Sequence, residues 1–330
     1  MPLLELREAG LYCPAGRFYI DPSGPVDRAI VTHAHGDHAR PGSDAYLTTR
    51  DGETVLRARL GDGARVEAVE YGERVAMGDA IVSLHPAGHI LGSAQVRIEQ
   101  GGEVWVVSGD YKRAADPTCQ AYEPRRCHTF VTESTFGLPI FRWPEAGTAM
   151  EAIEAWWSAN RQAGKASVLF ADALGKAQRI LAELDGADWP IYAHAAVERF
   201  NRLYRERGVA LRPTPAPAED WRSALILAPP SCQSSGWMRR FPGASTALAS
   251  GWMRIRGTRR RRSLDRGFVL SDHADWPALL RTIDESGAET VWVTHGFRAP
   301  LARWLEEHGR AARAVDVQFE DGREEPECDS

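Results

Sequence analysis

The stretch Val31-Thr32-His33-Ala34-His35-Gly36-Asp37-His38 places three histidines and an aspartate within six residues, directly after the apolar run Ala29–Thr32. Imidazole and carboxylate groups ligate zinc-like ions, and a strand end followed by a glycine-bearing loop can turn several side chains toward one point. A run this compact supplies two ligands to one metal ion and two to its neighbour. Histidine is a small fraction of most chains, so the run reads as a metal-binding loop rather than a polar surface turn.

Working outward, three more candidate ligands follow short apolar strands. His89 comes after Ala80–Leu84 in Pro86-Ala87-Gly88-His89, and Asp110 after Val104–Val107 in Ser108-Gly109-Asp110. His295 comes after Thr290–Val293 in Val293-Thr294-His295-Gly296. Singly each is ambiguous, because a lone histidine after a strand is usually a capping or core residue. As a set they share a strand end and an adjoining glycine that lets the backbone come close. Six of the ten histidines lie in such segments (His33, His35, His38, His89, His273 and His295). His85, His128, His194 and His308 are read as structural.

The rest of the first third reads as further short strands, Phe18–Ile20, Ala45–Thr48, Val66–Val69 and Ala94–Ile98, with a helix over Glu53–Leu60. The middle alternates helices (Ala149–Arg161, Lys176–Leu184, Val197–Arg207) with strands (Ser167–Phe170, Ile191–Ala193, Leu225–Leu227, Thr246–Leu248). That alternation predicts a parallel doubly wound sheet. After about residue 252 come a strand over Gly267–Leu270 and helices over Ala278–Glu285 and Leu301–His308.

A chain of 330 residues allows one large domain or two of medium size. The net charge of −5 excludes a polycation that coats DNA, so any nucleic-acid contact must come from a local basic surface. Five scattered cysteines without C-x-x-C spacing argue against a thiolate zinc site or a disulfide framework. The start of the chain shows no signal-peptide pattern, and no apolar run approaches the ~20 residues of a membrane helix. A soluble cytoplasmic protein is expected.

The H-A-H-G-D-H run, the lone histidine after it and the aspartate after a strand resemble the metallo-β-lactamase superfamily, and the resemblance covers both ends of the chain. Further segments resemble its β-CASP nucleases, in which a second domain is inserted before the last ligands. Val131-Thr132-Glu133-Ser134-Thr135 is similar to that family's acidic motif, Ser271-Asp272-His273-Ala274-Asp275 to its second motif, and Val293-Thr294-His295-Gly296 to its third. Phe170–Gln178 (F-A-D-A-L-G-K-A-Q) is similar to the strand-to-helix opening of the inserted domain. Ser108–Arg113 (S-G-D-Y-K-R) and Thr132–Pro139 (T-E-S-T-F-G-L-P) look like the bacterial ligase-associated DNA exonucleases. The implied fold is α/β, a metallo-β-lactamase αββα sandwich with an inserted doubly wound α/β (β-CASP) domain. Residues 1–148 would form its first part, 149–252 the insert and 253–330 the completing part.

Carried over residue by residue, the resemblance implies two divalent metal ions, with zinc preferred for imidazole-rich ligation and manganese the alternative. His33, His35 and His89 would hold one, Asp37, His38 and His295 the other, with Asp110 bridging. Asp21 in Tyr19-Ile20-Asp21-Pro22 would orient the ligand loop. Asp37, Glu133 and His273 would be catalytic: a hydroxide bridging the metals attacks a phosphodiester, His273 protonates the departing sugar oxygen, and Glu133 orients His273.

Arg254, Arg256, Arg259 and Arg260 belong to a run of six arginines in nine residues, Arg254–Arg262, read as tracking phosphates. Lys112, Arg113, Ser234 and Ser235 are further candidate substrate contacts, and Trp143, Trp237 and Trp252 candidate stacking surfaces. The expected activity is a DNA exonuclease of DNA repair. The expected partners are nucleic acid, DNA ahead of RNA, and functionally a DNA ligase or helicase, with no membrane. The alternatives are a β-CASP ribonuclease, a metallo-hydrolase of another substrate class, and a catalytically dead scaffold.

Overall fold

The computed structural model describes residues 2–184, 189–217, 221–255, 257 and 263–317. They form two compact units, one of the residues up to Arg142 with those from His273 on, the other of Trp143–Asp272.

The first unit contains two sheets. Six strands run in the order Glu5–Arg7, Gly10–Cys13, Phe18–Ile20, Arg28–Ile30, Ala45–Thr49, Val66–Val69. Seven run in the order Ala311–Ala314, Thr290–Gly296, Thr129–Ser134, Glu103–Val107, Ala94–Gln100, Ala80–Pro86, Val75–Met77. Successive side chains of a strand point to opposite faces, and the seven-stranded sheet uses both. Val107, Val131, Val96 and Leu84 share one buried cluster with Leu11, Ile20, Ile30 and Leu47 of the other sheet, so the two sheets pack face to face. Val106, Phe130, Val291 and Val293 look the other way, onto Trp276, Leu279, Ile283, Leu301 and Leu305. Those five belong to the helices Trp276–Ser286 and Arg298–Glu307. On the six-stranded sheet, the helix Glu53–Leu60 packs against Ala45–Thr49 and Val66–Val69.

Strand direction explains why distant segments meet. Ala80–Pro86 and Glu103–Val107 both run antiparallel to Ala94–Gln100, and Thr129–Ser134 and Thr290–Gly296 run parallel to Glu103–Val107. Four strands therefore end at the same edge of one sheet. The segments bearing His89, Asp110, Glu133 and His295 lie at those four ends.

The second unit is built on five parallel strands in the order Ile191–Ala193, Leu225–Ala228, Ser167–Phe170, Ser245–Ala249, Arg266–Phe268. Its central strands are buried along their length, which fits their sequences, apolar but for Ser167. The helix Thr148–Gln162 precedes them, Lys176–Glu183 connects Ser167–Phe170 to Ile191–Ala193, and Ala195–Glu206 connects Ile191–Ala193 to Leu225–Ala228. Arg266–Phe268 pairs with Ser245–Ala249, and this unit runs to Asp272. Among the described residues no helix is long and apolar enough to cross a membrane.

Candidate metal centre

Two groups of ligand atoms gather at these strand ends. The first comprises His33, His35, His89 and Asp110, the second Asp37, His38 and His295, and within each group the atoms lie within 4.8 Å of one another. His35 Nδ1 is 3.1 Å from His33 Nε2 and 3.0 Å from His89 Nε2. Nitrogens bound tetrahedrally to zinc at ~2.0–2.1 Å stand about 3.3 Å apart, so this triangle is close to ligand spacing. The second group is looser, with Asp37 Oδ2 at 3.6 Å from His38 Nε2 and 3.8 Å from His295 Nε2. Asp110 Oδ2 touches both groups, at 3.5 Å from His33, 3.8 Å from His89 and 3.4 Å from His38. Its Oδ1 is buried without a hydrogen-bond partner, an uncommon state for a buried carboxylate oxygen.

The surroundings orient the ligands. Asp21, 3% exposed, accepts from Thr32 N (2.8 Å) and from Thr32 Oγ1 (2.6 Å), and its Oδ2 is 2.7 Å from His38 Nδ1. His38 Nδ1 therefore carries its proton toward Asp21, leaving Nε2 to face Asp110. Because the Thr32 hydroxyl donates to Asp21, its lone pairs accept from His33 Nδ1 at 3.0 Å, which turns His33 Nε2 inward too. Both Asp21 (φ 45°) and His295 (φ 52°) sit in the left-handed region, where non-glycine residues carry strain and functional sites concentrate. At His295 the cause is a bulge: Thr132 pairs with Val293 but Ser134 with Gly296, one residue extra on the His295 strand. A side chain at Gly296 would meet the Ser134 carbonyl at 2.4 Å, so the strands close only over a glycine.

The electrostatics suit a cation. Burial, reinforced by His38, pushes the His33 imidazole well below its ordinary pKa, into the neutral form that ligates metals. Burial opposes charge on Asp110, yet His38 and His273 hold its carboxyl well below the usual carboxylate range. His38 moves the other way: burial disfavours its charge, but Asp110, Asp37 and Asp21 hold it well above its ordinary value. Three clustered carboxylates thus demand positive charge at this point, which a bound cation would provide.

Asp110, Glu133 and His273 form a third grouping. Glu133, 2% exposed, accepts from Tyr111 N (2.9 Å), Thr135 N (3.3 Å) and the Thr135 hydroxyl, and lies 3.0–3.1 Å from His273 Nδ1. Its oxygens are committed to these donors. The ring of His273, fixed at Nδ1, presents Nε2 on its opposite edge, and Phe136 packs edge-on against it. Asp275 is not part of this grouping: its carboxylate accepts from Ala278 N at 3.0 Å and caps the helix Trp276–Ser286.

The expected substrate contacts fall in both units. Lys112 is buried with its ammonium 2.7 Å from Asp116, and Arg113 lies 2.6 Å from Glu285, so phosphate contact by either would require a pair to open. Ser235 caps the short turn Gly236–Arg240, Ser234 is exposed, and Arg254 is exposed at the end of Gly251–Arg254. Arg256, Arg259 and Arg260 lie outside the described residues. Trp237 is buried against His194 and Phe241, Trp143 is part-buried, and Trp252 is 39% exposed. The other histidines have local partners: His194 caps the helix Ala195–Glu206, His128 Nδ1 accepts from Val104 N, His85 contacts Ser83, and His308 stacks on Trp304.

No protein-family model matches the chain. A probable DNA ligase of Opitutus terrae is 33% identical over 319 residues, which cover 95% of this chain and 31% of that protein. An RNase J-like protein of Methanocaldococcus jannaschii is 25% identical over 209 residues (54% of this chain, 50% of that one). The endoribonuclease ysh1 of Schizosaccharomyces pombe is 30% identical over 123 residues (37% and 16%). The chain belongs to the β-CASP metallo-β-lactamase family. It spans half or less of the length of each of these relatives. A crystal structure of a protein of unknown function from Enterococcus faecalis V583 shares the fold, with a TM-score of 0.62 at 11% identity over 89% of this chain and 80% of that one. The metallo-β-lactamase fold of the family accounts for the paired sheets of the first unit.

Three residues that support the candidate metal centre were not singled out in the sequence. Thr32 bonds to Asp21, Tyr111 to Glu133 and Asp116 to Lys112. Thr32 and Tyr111 could have been found from their places directly beside His33 and Asp110; Asp116 has no comparable mark.

Proposed function

We propose that this chain is a two-metal phosphodiester hydrolase of nucleic acid, and that its substrate is DNA, degraded from an end during repair. The observation that carries the hydrolase reading is His273, tied to the saturated carboxylate of Glu133 beside two groups of ligand atoms bridged by Asp110. Ions held by His33, His35, His89 and by Asp37, His38, His295, with Asp110 between them, would activate water and neutralise phosphoryl charge. The chain supplies the remaining parts. Asp21 and Thr32 hold His38 and His33 in the tautomers that offer Nε2. Glu133 holds His273 so that Nε2 can deliver a proton to the departing sugar oxygen, which leaves poorly as an alkoxide.

We read the unit Trp143–Asp272 as the domain inserted in β-CASP nucleases, a reading supported by its parallel sheet. Arg254, Arg256, Arg259 and Arg260 would follow the phosphate backbone, with Ser234 and Ser235 as further contacts. Two observations favour DNA: the subgroup motifs around Asp110 and Glu133, and a match that covers nearly the whole chain within a protein named a probable DNA ligase. A cytoplasmic enzyme acting beside a ligase or helicase follows from the same reading. The names RNase J-like and endoribonuclease favour RNA instead. Matched DNA and RNA oligonucleotides, each labelled at either end, separate the two. DNA shortened progressively from one end supports the proposal, and cleavage confined to RNA overturns its DNA half.

A further inference from the structure

The ligand-bearing loops of the first unit converge on a three-residue stretch that contributes one candidate ligand of its own. Asp110 is followed by Tyr111, fully buried, whose N–H donates to Glu133 and whose carbonyl accepts from Ala274 N at 2.7 Å, next to His273. Tyr111 Oη is 3.2 Å from Thr132 Oγ1. Lys112 N donates to the Ala87 carbonyl at 3.1 Å, two residues before His89. The Lys112 carbonyl lies so close to Gly88 that a Cβ there would meet it at 2.4 Å. Backbone positions 110–112 thus set the spacing of Asp110, His89, Glu133 and His273 together.

Besides these backbone bonds, the stretch is held by an ion pair at its last residue. Lys112 Nζ donates to Asp116 Oδ2 at 2.7 Å, with the two side chains 2% and 3% exposed. Asp116 Oδ1 in turn accepts from Thr118 N (2.9 Å) and Thr118 Oγ1 (2.6 Å). A buried ion pair contributes little net stability over an apolar pair of the same shape, because desolvation offsets attraction. Its geometric demand is what distinguishes it: an ammonium buried beside a carboxylate accepts one short, directed arrangement.

We propose that Lys112 and Asp116 are positioning residues for the metal centre, holding the Asp110 and His89 loops at ligand spacing. The proposal rests on the metal-site reading above. In it, the cation at Lys112 serves the ligands through the backbone and does not touch a phosphate.

The test compares full-length Lys112→Met, Asp116→Asn and the double variant with wild type. Zn2+ affinity is measured by competition with a chromophoric chelator, and thermal unfolding is measured on chelator-treated, metal-free protein. Each single variant leaves a buried charge or a cut pair and lowers the metal-free melting temperature. The double variant removes both charges and recovers most of that loss. Zn2+ affinity should nevertheless remain reduced, ~10–100-fold, in the double variant, as when partners that orient ligands are removed. If affinity returns to wild type along with stability, the pair is merely structural and the proposal is overturned. If a single variant fails to fold, the double variant alone decides by the same criterion. A wild-type chain that takes up no Zn2+ overturns the metal-centre reading itself, a result distinct from variants that bind as wild type does.

Discussion

Asp21→Asn isolates the orientation of one ligand with almost no change of shape. Asparagine tolerates the left-handed backbone at this position (φ 45°), so no new strain is introduced. Its Oδ1 can still accept from Thr32 N, now 2.8 Å away. The second oxygen becomes an NH2 group facing Thr32 Oγ1 and His38 Nδ1, at present 2.6 and 2.7 Å from Asp21 Oδ2. Both partners can answer by exchanging roles. The hydroxyl rotates to accept from it and turns its own proton to His33 Nδ1, which accepts once the His33 proton lies on Nε2, and His38 keeps a proton on Nε2 alone so that Nδ1 accepts. Every buried polar group then stays paired, and metal-free stability should fall by no more than about 1 kcal/mol, the net worth of one hydrogen bond. Metal binding is affected far more, because His38 Nε2 no longer offers a lone pair. Loading requires the new hydrogen bond to break, and loss of such an orienting partner costs ~10–100-fold in affinity, about 1.4–2.8 kcal/mol. Competition with a chromophoric chelator measures the first quantity and thermal unfolding in excess chelator the second. Unchanged affinity for both ions would refute the tautomer argument. A large loss of metal-free stability would mean that Asp21 acts as a structural charge.

Three other perturbations test separate parts. His273→Ala should keep its metals, lose ~10²–10⁴ in DNA cleavage and retain activity on an aryl phosphodiester, whose phenolate leaves without a proton. His295→Ala should lose metal and both activities, and if His273→Ala also loses metal it belongs with the ligands. Neutralising Arg254, Arg256, Arg259 and Arg260 should reduce the slope of log affinity against log salt by roughly 0.7–0.9 for each phosphate they neutralise in the wild type; an unchanged slope returns the run to a solvated segment. Burial, with Arg125 and Arg97, lowers the His85 pKa to about 4, so the folded chain binds its proton less readily than the unfolded chain, near 6.5. Its contribution is therefore complete above about pH 6.5 and lost as pH falls toward 4, costing about 1–2 kcal/mol once solvent screening is allowed for. His85→Gln should flatten the pH dependence of metal-free stability in that window, and an unchanged profile would contradict the assignment.

Much of the site was legible because its chemistry is local. His33, His35, Asp37 and His38 announce themselves by density, and His89, Asp110 and His295 by their places after apolar strands. Their convergence was less legible, since it depends on four strands of one sheet sharing an edge, a long-range property that periodicity does not carry. The strands Glu5–Arg7 and Val75–Met77 are only three residues long, and Ala311–Ala314 reads A-A-R-A, with no alternation to betray a sheet edge. The bulge that aims His295 arises from register against Thr129–Ser134 and has no sequence signature beyond Gly296. Lys112 shows the opposite difficulty. A lysine in a loop beside a candidate ligand suggests a surface cation, whereas its partner Asp116 draws it into the interior.

The central claim, metal-dependent hydrolysis of nucleic acid, is tested most directly by stripping the chain and titrating Zn2+ or Mn2+ back against cleavage of end-labelled DNA. No cleavage is expected without metal, a rise as the ions are restored up to two equivalents per chain, and no recovery in Asp110→Ala at the same loading. Full cleavage by the stripped protein would contradict the claim, as would a folded, fully loaded chain that leaves both DNA and RNA intact.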